Sequence, residues 1–82
     1  MAAGTISGRI EARLAPLLGP NMARNATRTF SQRSLQKEPE ALTVADVPRL
    51  MTALRPALRT LLGASTAEQI VREIVQEFHE PG

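Results

Sequence analysis

A leucine pair is followed by glycine twice in this chain, at Leu17-Leu18-Gly19 and at Leu61-Leu62-Gly63, and apolar residues recur at helical spacing on both sides of each glycine. A residue without a Cβ ends a helix cheaply in the left-handed region, so each glycine reads as a helix stop. The pattern predicts two helix–Gly–helix pairs, an all-α compact four-helix bundle, with the pairs at 5–37 and 43–80 and a loop over 37–43.

The four segments read as follows. Ile6, Ile10, Leu14, Leu17 and Leu18 trace a first helix, with Pro16 expected to bend its last turn. Met22, Ala26 and Phe30 give a second helix a thin apolar side, with Asn21 as its expected cap and its end near Gln36. Pro39, Glu38 and Glu40 mark the loop. Val47, Leu50, Met51, Leu54, Leu58, Leu61 and Leu62 form a third stripe that keeps phase across Pro56, and Thr43 or Asp46 caps it. Ala67, Ile70, Val71, Ile74, Val75 and Phe78 form the fourth, after a Ser65-Thr66-Ala67-Glu68 capping box, with Glu68 and Arg72 spaced as an i, i+4 pair.

The second pair echoes the first at an offset of 44 residues, Leu14-x-x-Leu17-Leu18-Gly19-x-x-x-Ala23 against Leu58-x-x-Leu61-Leu62-Gly63-x-x-x-Ala67. This is the sequence pattern of one helical hairpin used twice.

A bundle of 82 residues with no Trp, no Tyr and only Phe30 and Phe78 as aromatics must pack its core from aliphatic side chains. Domains of this size are held by few kcal/mol. The absence of cysteine excludes disulfides and thiolate zinc sites and leads us to expect a reducing, cytoplasmic setting. No apolar run is long enough to span a bilayer. Charge is uneven: residues 1–37 carry six basic side chains against Glu11 alone, and residues 38–82 carry four against seven acids. Such asymmetry suits a second copy, a protein partner or nucleic acid.

No catalytic residue, metal ligand or cofactor is expected. His79 is a lone histidine in the last helical turn, with no nucleophile or orienting acid beside it in sequence. Glu73, Glu77 and Glu80 read as a solvated helix face. Gly19-Pro20-Asn21 lacks the glycine spacing and lysine of a phosphate loop. Residues Leu14–Arg28 are similar to a DNA-binding helix-turn-helix, with Asn21, Arg24, Asn25 and Arg28 available to bases and phosphates. Their phase argues otherwise. Asn25 and Arg28 fall where that motif needs apolar contacts, and the second copy has Gln69 and Arg72 there.

Leu17–Ala23 and the Leu54–Gly63 stretch resemble helical appendages of bacterial multidomain signalling proteins, and the resemblance implies an assembly role. Ala67 and Val75 widen the fourth stripe beyond one neighbour. The expectation is therefore a bacterial protein-interaction or self-association domain, with nucleic-acid binding by the basic second helix as the alternative. The expected contact residues are Leu50, Leu54, Leu58, Ile70, Ile74, Val75 and Phe78, rimmed by Arg24 and Arg28.

Overall fold

The computed structural model describes residues 5–78, and among these it contains four α-helices, one 3-10 turn and no strand. The helices are α1 (Ile6–Leu18), α2 (Pro20–Ser34), α3 (Asp46–Leu62) and α4 (Ala64–Glu77), and the 3-10 turn covers Pro39–Ala41. The architecture is the all-α four-helix bundle. α1 packs closely on α2 and α3 on α4; the pairs meet through α2 against α3 and, more lightly, α1 against α4. His79 and Glu80 lie outside the described residues.

A single glycine separates the helices of each pair. Gly19 has φ 89° and ψ 151°, and Gly63 has φ 87° and ψ 156°. Each is at once the C-cap of one helix and the N-cap of the next: the Gly19 N–H donates to the Ala15 carbonyl while its own carbonyl accepts from Ala23, and Gly63 does the same between Arg59 and Ala67. The restart is immediate, and this corrects two expectations. Pro20, with its φ already fixed, opens α2 at its first position. Asn21 therefore lies inside the helix, and no side chain caps α2. α4 likewise starts at Ala64 without a side-chain cap. Glu68 crosses instead to α3, 3.2 Å from Arg55 and 3.9 Å from Arg59, and does not pair with Arg72.

The equivalence of the pairs extends into the core. At the offset of 44, Ile10 and Leu54, Leu14 and Leu58, and Ala23 and Ala67 occupy matching positions, and all six are buried. Thr27 matches Val71, a side chain of nearly the same shape. The Thr27 hydroxyl donates to the Ala23 carbonyl one turn back, so a polar group sits in the core without losing its hydrogen bond. Ser31 is different. It is fully buried and its Oγ has no hydrogen-bond partner. An orphaned buried hydroxyl destabilises, so Ser31→Ala is expected to raise the unfolding free energy by about 1 kcal/mol, read from urea denaturation. A fall would mean that the hydroxyl has a partner after all.

Both internal prolines are absorbed without ending their helices. Pro16 and Pro56 are exposed, so water can solvate the carbonyls they leave unbonded. α2 ends two residues before the expected Gln36. Gln36 takes φ 55°, and the Lys37 N–H reaches back to the Ser31 carbonyl at 3.1 Å, turning the chain away from the helix axis.

The chain then runs under the bundle, burying Pro39 and Leu42. It is tied to α3 by Asp46. That carboxylate accepts from Lys37 Nζ (2.7 Å), the Thr43 N–H (2.9 Å) and Thr43 Oγ1 (3.0 Å). Neither Thr43 nor Asp46 is the expected N-cap: Ala45 holds that position and no side chain caps α3, while the acid reaches back to the threonine. The Lys37 ammonium, and after it the Thr43 amide, hold the Asp46 carboxyl down from an ordinary 3.8 to about 2. A group whose pKa falls on folding stabilises above its unfolded pKa and loses that contribution as pH drops toward the folded value. The stabilisation should therefore be complete above about pH 4 and fade toward about pH 2. Asp46→Asn should remove this part of the acid limb in denaturation midpoints measured across that range. An unchanged limb would show that the clasp contributes nothing.

Candidate interaction surface

The structure turns most of the expected contact residues inward. Leu50, Leu54, Leu58, Ile70, Ile74 and Phe78 are buried by the chain's own helices, and Val75 is half-buried. The expectation that they form an interface is corrected for these six, which belong to the core; Val75 packs partly against it. The wide stripe of α4 is covered because α4 has two neighbours, α3 and α1. Arg24 and Arg28 are exposed on α2 as expected, Arg24 at 4.0 Å from Glu11.

Three large apolar side chains remain exposed among the described residues: Leu17 (41%), Met22 (46%) and Leu61 (52%). They belong to two open clefts. One lies between α1 and α4 and contains Leu17; the other lies between α2 and α3 and contains Met22 and Leu61. The clefts correspond under the 44-residue offset. Leu17 matches Leu61, Thr66 matches Met22, and Ile70 matches Ala26.

Their chemistry differs at the middle. Across the α1/α4 cleft, Arg13 faces Glu73 at 3.8 Å. The matching positions across the α2/α3 cleft are Ala57 and Thr29, which carry no charge. Beside the first cleft the ion pairs continue: Glu77 accepts from Arg9 at 2.9 Å and Arg13 at 2.6 Å, and the Arg9 guanidinium lies over the Phe78 ring, 4.6 Å from its centroid. Glu73 and Glu77, read in sequence as a solvated face, are a clasp between α1 and α4. The α2/α3 cleft has no such clasp and presents Met22, Ala26, Phe30, Ala57 and Leu61 to solvent.

Comparison with known protein families, curated proteins and solved structures finds no match. Function must be read from this surface alone.

Among the described residues no group of three or more His, Cys, Asp or Glu is placed to hold a metal ion. Asp46, whose carboxyl is held well below its ordinary value, is engaged by Lys37 and Thr43. No described helix is long and apolar enough to cross a membrane.

Sequence offered one usable signal for the exposed leucines. Neighbours in a helix point about 100° apart, so at a helix end, where the core narrows, one member of a Leu-Leu doublet is readily left outside. In each pair the second leucine, Leu18 or Leu62, leans on the core while the first stays out.

Proposed function

We propose that this chain is a non-enzymatic protein-interaction domain that receives its partner in the α2/α3 cleft. The observation that carries the reading is the concentration of exposed large apolar side chains in two matching clefts, only one of which is bridged by charge. A small bundle with few kcal/mol in hand gains nothing from leaving such side chains in water, and apolar patches of this kind mark contact sites.

The rival reading, duplex DNA on α2, draws on Asn21, Arg24, Asn25 and Arg28, all of them exposed. Two features weigh against it. Arg24 lies 4.0 Å from Glu11 on α1. Only Gly19 joins α1 to α2, where a helix-turn-helix uses a turn of three or four residues.

The deciding experiment follows backbone amide shifts under three additions: more of the protein itself up to millimolar, a neutral amphipathic helical peptide, and random duplex DNA at about 50 and 200 mM salt. Shifts at Met22, Ala26 and Leu61 with either protein component support the proposal. Steeply salt-dependent DNA shifts centred on Arg28, with the cleft unmoved, overturn it.

A further inference from the structure

The α2/α3 cleft has direction as well as polarity. Its apolar end lies at Met22 and Leu61, next to the two glycine turns. Along α2 the lining positions Met22, Ala26 and Thr29 continue at helical spacing to Arg33. Along α3 the lining positions Leu61 and Ala57 continue, four residues at a time, through Ala53 to Arg49. Arg33 and Arg49 are both exposed. Neither takes part in any ion pair among the described residues, although Arg9, Arg13, Arg24, Arg55 and Arg59 all do. By this spacing the rows that line the cleft lead from Met22 and Leu61 toward Arg33 and Arg49, two cations without an ion pair among the described residues. From Met22 to Arg33 the distance along α2 is about 16 Å, three helical turns.

Resting on the reading of the cleft as a protein-docking surface, we infer that its occupant is an amphipathic helix of a partner protein, with acidic residues at one end of its apolar face. Its apolar turns lie over Ala26, Ala57 and Leu61, and its acidic turn meets Arg33 and Arg49. An apolar floor suits the apolar face of a helix better than a duplex backbone, because phosphates gain nothing from Met22 and Leu61. Paired arginines at one end select carboxylates and set the orientation of the docked helix. A second copy of this chain fits less well. The acids of its own α4, Glu68, Glu73 and Glu77, are part-buried and already engaged by Arg55, Arg59, Arg9 and Arg13. The α1/α4 cleft is excluded as an equal site by Arg13 and Glu73, which lie across its middle.

The test titrates the whole chain with three synthetic helical peptides of about four turns. They share one leucine face and carry glutamate, glutamine or lysine at the same terminal positions. The inference expects amide shifts at Met22, Ala26, Ala57 and Leu61, and tightest binding by the glutamate peptide. The double variant Arg33→Glu/Arg49→Glu should bind that peptide about tenfold more weakly and prefer the lysine peptide. Both positions are exposed and unpaired, so the variant should keep the helical content of the parent, checked by circular dichroism. Equal binding of all three peptides in the cleft, or no change in preference in the double variant, overturns the acidic partner and leaves the docking surface standing. No cleft shifts with any peptide overturns both. Binding at α1/α4, or concentration-dependent shifts showing that a second copy fills the cleft, also overturns the inference.

Discussion

Leu54→Ala is expected to cost about 3 to 5 kcal/mol, enough to leave most of the protein unfolded at room temperature. Leu54 is fully buried on α3, at the position matched by fully buried Ile10 on α1. Removing its branched end takes away apolar contact and leaves a hole that a close-packed interior fills only in part. The bundle has little reserve. It has no disulfide, and its largest fully buried side chains are Ile, Leu and Met. Leu61→Ala on the same helix supplies the contrast, since Leu61 is 52% exposed. A surface truncation of that kind costs about 0.5 kcal/mol or less. Urea denaturation followed by circular dichroism separates the two. Equal losses would mean that the core has been placed wrongly.

The second large effect is expected at the turns. Gly19→Ala and Gly63→Ala should each cost about 1 to 3 kcal/mol. Both glycines adopt φ near +90° with extended ψ, a region essentially closed to L-residues. An added Cβ would meet no atom within 4 Å at either site. The penalty is therefore backbone strain alone, and a D-alanine introduced by synthesis should remove it. The two sites lie in different helix pairs, so the losses should add in the double variant. A D-residue as damaging as the L-residue would point to some cause other than the dihedral angles.

These two expectations also show what the sequence made legible. The number of helices, the glycine stops and the core stripes at Leu50, Leu54, Leu58, Ile70 and Ile74 all follow from spacing, because helical period and apolar burial are set locally. Helix starts were less legible. Ser65-Thr66-Ala67-Glu68 has the composition of a capping box, yet Gly63 restarts α4 one residue on and leaves that box within the helix. The role of Glu77 was illegible for a different reason. Its partners, Arg9 and Arg13, are 68 and 64 residues away in sequence and meet it only once α1 lies on α4. The contact surface was misplaced for the same reason: an apolar stripe does not say whether the chain itself or another molecule covers it. What puts charge across one cleft and not the other is the exchange of Arg13 and Glu73 for Ala57 and Thr29, which acquires meaning only when the offset of 44 is laid over a folded bundle.

The repeat carries one more consequence. Glu11 on α1 faces Arg24 on α2, and at the matching places Arg55 on α3 faces Glu68 on α4, the same bridge with its signs exchanged. Either bridge alone is weak, being exposed. Two hairpins of one pattern in a single chain can be mispaired, α1 settling along α4 as though it were α3, or two molecules trading helices while half folded. Such a mismatch would set Glu11 against Glu68 and Arg24 against Arg55. The exchanged signs therefore favour, by a small margin, the pairing of each helix with the partner across its own glycine.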